Sequence, residues 1–245
     1  MTDPTLHPIA TEKFKPFQEE IIRCCPDNIH SMTITGSSLT ADFDPEKSDI
    51  NSVFVLNRMD LKFLELLAPL GKKYRKKKVA APLIMTRAYI DKSLDVFPLE
   101  FMNIKLLHKT VLGEDLFCDL EIDMPHLRLQ CERELKVRLI GLRQGYIASM
   151  GDRRLLSNMF ADSFSGFMPL FRGILLVLGK QVPVQNEDVM TALEAASGID
   201  VNIFRTIGQQ KRQKTKPTIE QLNTIFEDSY MAIEKLGDMT DEIHY

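Results

Sequence analysis

Several features that would mark a particular class of protein are scarce or missing in these 245 residues. The net charge at pH 7 is only −3, so we expect no global attraction to nucleic acid or to an anionic membrane. The most apolar run, residues 167–179, is interrupted by Arg172 and is too short to span a bilayer. Residues 1–17 have no apolar core that could serve as a signal peptide. We therefore expect a cytoplasmic protein without membrane segments.

Cysteine is also scarce, and the motifs of several large enzyme classes are missing. None of the four cysteines belongs to a Cys-x-x-Cys pair, so we expect reduced thiols, no disulfide framework and no zinc site. The chain has no glycine-rich P-loop, no Gly-x-Ser-x-Gly elbow and no dinucleotide fingerprint. Kinase, hydrolase and dehydrogenase functions therefore have no support in the sequence.

The hydrophobic pattern divides the chain into two parts and predicts an α+β fold. Residues 1–122 mix strand and helix patterns, and residues 123–245 show helix patterns only, so we place a domain boundary near residue 123. In the first part the pattern predicts helices at 12–25 and 59–78 and strands at 29–36, 49–56, 79–86 and 95–107. Pro82 favours an edge position for the third strand, because proline cannot donate to a sheet ladder.

The second part predicts a helical bundle. Its first helix carries a long apolar stripe, formed by Leu127, Cys131, Leu135, Leu139, Leu142 and Tyr146. A second helix is predicted over 153–179, bent near Pro169, and a third ends at Gly198. A capping box after Pro217 opens the last helix, which we expect to stop near Gly237.

Two polar groups at the ends of neighbouring strands suggest a site. Asp49 and Asn51 are two residues apart in a strand, so their side chains share one face, about 7 Å apart. Gly36 and Ser37 close the preceding strand, and a glycine there lets the backbone approach a ligand closely. If a helical turn begins at Ser37, its free N–H groups favour an anion at the same place. Carboxylate and phosphate oxygens together are the ligands that Mg²⁺ prefers.

This pattern, Gly36-Ser37 followed by Asp49-Ile50-Asn51, resembles the signature of the nucleotidyltransferase fold superfamily. The resemblance covers roughly the first 120 residues, and a helical C-terminal domain is common in kanamycin nucleotidyltransferase-like members. It implies that an NTP such as ATP is bound with Mg²⁺, that a nucleoside monophosphate is transferred to an acceptor hydroxyl, and that Asp49 is the first metal-binding acid. The residues expected to bind the nucleotide are Gly36, Ser37, Ser38 and Ser48.

The resemblance also implies a second and a third acid, and here the sequence departs from the family. Asn51 stands at the second position; its amide oxygen can bind a metal but carries no charge, so the site has lost one unit of charge next to a triphosphate. For the third acid we choose Glu100, with Asp95 as the second choice, although Glu100 could instead pair with Arg87. Catalysis by Asp49 and Glu100 is therefore one hypothesis, and a catalytically inactive nucleotide-binding or protein-interaction module is the alternative.

Two basic clusters leave a third hypothesis open. Residues 72–78 contain six lysines and arginines around Tyr74, and residues 209–216 form a second cluster. Phosphate or nucleic-acid contact is one interpretation, but cations at the negative end of a helix dipole are favoured. Most arginines on the first helix of the second part are expected to form a salt-bridged face, and one or two could instead reach phosphate across a cleft between the two parts. Expected partners are a nucleotide and an unknown small-molecule or protein acceptor; a homodimer stays open, and nucleic acid is not favoured.

Overall fold

The computed structural model describes residues 5–163, 166–213 and 217–245. The chain divides into two compact units, one of Met1–Val96 with Glu100–Ile122 and one of Phe97–Leu99 with Asp123–Tyr245. The first unit contains the sheet and the second is helical, so the predicted α+β fold is confirmed. The assignment of 1–122 and 123–245 as separate domains stays a prediction. No helix among the described residues is long and apolar enough to cross a membrane.

Four strands form one mixed sheet in the first unit, in the order β3-β2-β1-β4. β1 runs antiparallel to both β2 and β4, whereas β2 and β3 are parallel. β3 lies at an edge, as Pro82 predicted. The strands are β1 (Ile29–Thr35), β2 (Asn51–Leu56), β3 (Leu83–Thr86) and β4 (His108–Gly113), and the helices are α1 (Pro8–Cys24), α2 (Leu61–Arg75), α3 (Arg87–Asp91) and α4 (Pro98–Leu106), the last of which begins in the second unit.

The prediction of a strand over 95–107 is wrong, because Pro98–Leu106 forms α4 and the fourth strand is His108–Gly113. The segment is apolar on most sides, and Leu99, Phe101, Met102 and Ile104 are all buried. A short run that is buried on most sides has neither the alternation of a strand nor the narrow one-sided stripe of a surface helix. Periodicity therefore could not decide between the two.

The second unit contains α5 (Met124–Ser149), α6 (Arg153–Ser163), α7 (Phe167–Val177), α8 (Asn186–Ser197), α9 (Asn202–Gln213) and α10 (Ile219–Asp241). The apolar stripe of α5 is buried from Leu127 to Leu142, but Tyr146 is partly exposed and packs against Phe226 with ring centroids 4.4 Å apart. The Nη2 group of buried Arg172 donates to the Val184 carbonyl at 2.8 Å and to the Asn186 amide oxygen at 3.1 Å.

The helix ends in this unit agree with the sequence at some positions and not at others. α8 ends at Gly198 with φ of 70°, and Thr218 and Gln221 form the capping box of α10, both as predicted. The single bent helix over 153–179 is wrong, since this range holds α6 and α7, with Pro169 in the first turn of α7. α10 continues past Gly237 to Asp241, so the predicted stop near Gly237 is wrong by about one helical turn.

Candidate active site

The two faces of the sheet are covered differently, and this difference locates the site. Alternate strand residues such as Phe54 and Ile34 point to the first face, where they pack with α1 and α2 in one apolar cluster. The residues between them, such as Val53 and Val55, point to the second face and belong to a cluster with Phe101 and Phe117. This second face is apolar at one end of β2 and polar at the other end, where β2 begins.

Asp49 and Asn51 lie at that polar end. Between them Ile50 is fully buried and forms a parallel bridge with Val79. Because neighbours in an extended chain point to opposite faces, Asp49 and Asn51 point away from Ile50 and share the second face. Both residues are exposed. Within the described part of the chain, no hydrogen bond or ion pair engages either side chain, which leaves their oxygen atoms open to a ligand.

Gly36 forms the corner next to Asn51. It has φ of +80°, a conformation that favours glycine, and a Cβ placed there would lie 3.7 Å from Asn51 Nδ2. Its N–H donates to the Leu107 carbonyl at 2.9 Å and so is not available to an anion. The residues after it form a short 3-10 turn, Gly36–Leu39, in which Ser37 is half-buried and Ser38 is buried.

Ser38 and Ser48 have local structural contacts. The Ser38 hydroxyl donates to the Thr35 carbonyl at 3.4 Å. Ser48 closes the loop before β2: its N–H donates to the Asp44 carbonyl at 2.7 Å, and its hydroxyl oxygen accepts from the Asp44 N–H at 3.1 Å. The turn thus fixes the chain just before Asp49. The nucleotide-binding role of these serines stays a prediction.

The oxygen atoms at this end of the sheet suit a hard divalent cation. An Asp49 carboxylate and an Asn51 amide oxygen, both exposed on one face, match the one or two protein ligands that Mg²⁺ uses when phosphates and water complete its shell. Among the described residues, no group of three or more His, Cys, Asp and Glu side chains could hold a metal ion alone. A fully protein-built metal cage is therefore not the type of site present in this part of the chain.

Glu100 does not lie where the sequence placed it. It is exposed in the first turn of α4, not buried on a strand. The alternative partner Arg87 pairs instead with Glu114, with Nη1 and Oε1 3.3 Å apart. Asp95, the second choice, is exposed in the turn before α4. The strand placement of Glu100 was wrong for the reason given above for α4, while its role in the site stays a prediction.

The strand beside β1 brings a histidine to the polar end instead of an acid. Thr35 pairs with Asn51 on one side and with His108 on the other, so these three residues share the second face. The His108 ring contacts the Asp115 carboxylate through Nε2 at 3.0 and 3.1 Å and the Lys105 carbonyl through Nδ1 at 2.9 Å. Because both partners are hydrogen-bond acceptors on opposite sides of the ring, they hold the imidazole in one orientation.

The Asp115 carboxylate is ionised in this arrangement. Its partial burial raises its pKa, but hydrogen bonds from the Phe117 N–H and from His108 outweigh the burial, so the pKa lies below its ordinary value. The pair fixes the loop after β4 against the polar end of the sheet. The sequence alone could not place His108 opposite Thr35, because this requires strand pairing, although β-branched Thr110 and Val111 were a signal for this strand.

The basic residues are distributed over several places. Lys72, Lys73 and Arg75 occupy the last turn of α2, where the dipole favours cations. The cluster at 209–216 lies partly outside the described residues. On α5, Arg128 pairs with Glu132 at 3.1 Å, which agrees with the salt-bridged face expected there, and Arg138 donates to the Gly166 carbonyl at 2.8 Å.

The sequence and structure comparisons differ in what they find. No family model and no curated protein matches the chain in sequence. Among solved structures, the chain is similar to the crystal structure of spectinomycin adenyltransferase AAD(9) from Enterococcus faecialis with ATP and spectinomycin. The TM-score is 0.54 at 14% identity, and the match covers 96% of this chain and 100% of that chain. The chain shares the fold of that structure. The resemblance seen in the Gly36 to Asn51 stretch is thus supported at the level of the fold.

Proposed function

We propose that this protein transfers a nucleoside monophosphate from an NTP, with ATP as the first candidate, to the hydroxyl of an acceptor molecule. The observation that carries the proposal is the polar end of the sheet, where exposed Asp49 and Asn51 share one face beside Gly36. The chain that carries these residues has a fold similar to that of an adenyltransferase crystallised with ATP. A small polar molecule is the proposed acceptor, because that structure also contains spectinomycin.

The residues of this chain have separate roles in the proposed reaction. Asp49 and Asn51 would hold Mg²⁺, which supplies positive charge to the triphosphate. Ser37, with the turn that follows Gly36, would face the phosphates, and Ser48 would keep Asp49 in position. Glu100 is proposed to accept the proton of the acceptor hydroxyl.

The decisive experiment follows transfer of label from α-labelled ATP, with Mg²⁺ or Mn²⁺, to a pool of small polyhydroxy compounds and to the protein itself. Asp49→Ala should abolish transfer. The matched control is Asp91→Ala, which removes an exposed acid at the end of α3. α3 directly follows Thr86, which pairs with Leu56 at the far end of β2 from Asn51. Equal transfer by Asp49→Ala and wild type would overturn the proposal.

A second candidate function is a nucleotide-binding module without catalysis. It is favoured by two observations, the uncharged Asn51 and the presence of His108 rather than an acid opposite Thr35. A single carboxylate holds a divalent ion less strongly than two, because each carboxylate contributes a full charge. ATP binding with no transfer to any acceptor would favour the module.

Replacing Asn51 by aspartate tests whether the geometry of the site is intact. Asn51→Asp restores one charge at an exposed position and should raise the affinity for ATP in Mg²⁺ about tenfold, equivalent to about 1.4 kcal/mol. Without a divalent ion the change should lower the affinity, because a bare carboxylate repels the triphosphate. Isothermal titration with and without Mg²⁺ measures both effects. The same affinity for both proteins in both buffers would show that position 51 does not face the nucleotide.

A further inference from the structure

The strongest charge feature of the sequence, residues 72–78, extends beyond the helix that could explain it. The dipole of α2 accounts for the cations of its last turn, which ends at Arg75. Lys76, Lys77 and Lys78 follow the helix end in a tight turn. We call residues 76–78 the basic turn. The helix dipole does not explain these three lysines, so their role depends on the contacts of the basic turn.

The fold connects the basic turn directly to the polar end of the sheet. The Ile50 N–H donates to the Lys78 carbonyl at 2.7 Å, and the Ala80 N–H donates to the Ile50 carbonyl at 3.0 Å. Ile50 is the residue between Asp49 and Asn51. Since hydrogen-bonded neighbouring strands lie about 5 Å apart, the Lys78 backbone is the immediate neighbour of the two proposed metal ligands.

The base of the turn is held in place by Tyr74. Its side chain is buried, and its hydroxyl contacts a Glu20 carboxylate oxygen at 2.7 Å and the Pro16 carbonyl at 3.0 Å. The Lys73 ammonium is used in the same cluster, since it lies 2.7 Å from Glu20. Lys77 lies over the Tyr74 ring, 5.4 Å from its centroid. In the described residues no carboxylate forms an ion pair with Lys76 or Lys78, so their charges are not neutralised by such a pair.

Lys78 has a backbone conformation that its side chain does not favour. Its φ is +66°, in the left-handed region where glycine or asparagine is common after a helix. A residue with a Cβ pays a free-energy cost there, and such positions often cluster at functional sites. A lysine in place of glycine at this position points to a use for the ammonium group.

We propose that Lys78, supported by Lys76, binds the triphosphate of the nucleotide at the Asp49 edge. The inference rests on the proposed function, because it names a residue for the same nucleotide site. Asn51 leaves the site with one carboxylate, which suits one divalent ion rather than two. A lysine fixed beside that carboxylate supplies, as a point charge, part of the neutralisation that a second ion would otherwise supply.

Lys78→Gly separates the charge from the fold. Glycine tolerates the left-handed conformation, so the variant should unfold at the same temperature as wild type or at a higher one. Its affinity for ATP should fall about tenfold, the loss expected for one charge-assisted hydrogen bond. Affinity for inorganic tripolyphosphate should fall by a similar factor, because the contact is made to phosphate. Isothermal titration with ATP and with tripolyphosphate measures these effects.

Lys62→Ala is the matched control. Lys62 is an exposed lysine on the same helix, thirteen residues before the helix end at Arg75, and so lies about 20 Å from it. This variant removes the same charge from the protein and should leave the ATP affinity unchanged. An equal loss in Lys62→Ala and Lys78→Gly would mean a general charge effect and would overturn the assignment of Lys78.

The outcomes separate this inference from the proposed function. Wild-type protein that binds ATP, with unchanged affinity in Lys78→Gly, overturns the inference and leaves the proposed function standing. Wild-type protein that binds neither ATP nor tripolyphosphate overturns both. Loss of binding to a single-stranded oligonucleotide in Lys78→Gly, with ATP affinity unchanged, would assign the basic turn to nucleic acid and overturn the triphosphate contact.

Discussion

The two faces of the four-stranded sheet differ in a way that packing alone does not require. On the face covered by α1 and α2, Met32, Ile34, Phe54 and Leu56 are all almost fully buried. The opposite face is apolar at Val53 and Val55 of β2, but β1 places buried Ser31 and Thr33 beside them. At its polar end, Thr35 lies between His108 and the exposed Asn51. The two faces therefore differ in polarity along β1, and only the second exposes polar side chains at the start of β2.

The largest expected effect belongs to the apolar face. Phe54 is fully buried, and its ring lies 5.8 Å from that of Phe17 and 6.4 Å from that of Phe14. Phe54→Ala should lower the free energy of unfolding by about 3–5 kcal/mol, since it removes a large buried ring and leaves a cavity. Urea denaturation measures the change. Asn51→Ala, on the exposed end of the same strand, should change it by no more than about 0.5 kcal/mol. Similar losses in both variants would contradict the contrast between the two faces.

A smaller effect is expected at the corner that joins the site to the sheet. Gly36→Ala should cost about 1 kcal/mol of unfolding free energy, because alanine disfavours φ of +80°, while the added Cβ makes only an ordinary contact with Asn51. Gly71→Ala is the matched control: it lies inside α2 with open space around it, so the same change should stabilise the protein by about 1 kcal/mol. Thermal unfolding of both variants checks the opposite signs; destabilisation by Gly71→Ala would contradict the argument.

The smallest expected effect concerns the His108 and Asp115 pair. The folded protein lowers the pKa of Asp115, so this group contributes stability above its ordinary value of 3.8, and the contribution is lost as the pH falls through the lower folded value. The difference in unfolding free energy between wild type and Asp115→Asn should therefore shrink as the pH falls from about 7 to 3. It should be small throughout, because the carboxylate is more than a third exposed.

His108→Ala is the companion variant for this measurement. It removes one of the hydrogen bonds that lower the pKa of Asp115 and should reduce the pH-dependent difference without abolishing it, since the Phe117 N–H remains. If Asp115→Asn changes the unfolding free energy with the same pH dependence in the wild type and in the His108 variant, His108 does not act on the carboxylate.

Much of the first unit could be predicted from the sequence because its signals are local. The β-branched residues of β1 and β2, the edge position from Pro82 and the alternation that puts Asp49 and Asn51 on one face each depend on a few neighbouring residues. The pairing of Thr35 with Asn51 puts the Gly36 corner beside the start of β2, which agrees with the predicted closeness of the two strand ends.

The rest depended on pairing between distant segments. Local pattern could not show that Thr35 lies between Asn51 and His108, since this requires the register of three strands. It also could not show that the basic turn bonds to Ile50, which lies almost thirty residues earlier in the chain. Glu100 was chosen because an acid in an apolar run appeared costly; as an exposed residue in the first turn of a helix, it carries no such cost.

The short third strand has a consequence for how this protein behaves at high concentration. β3 offers only four residues at the open side of the sheet, and Pro82 immediately before it has no N–H to donate. A second chain that tried to extend the sheet there would gain few hydrogen bonds. Although Leu83 is exposed, the backbone hydrogen bonds available at this edge are too few to support aggregation by strand addition.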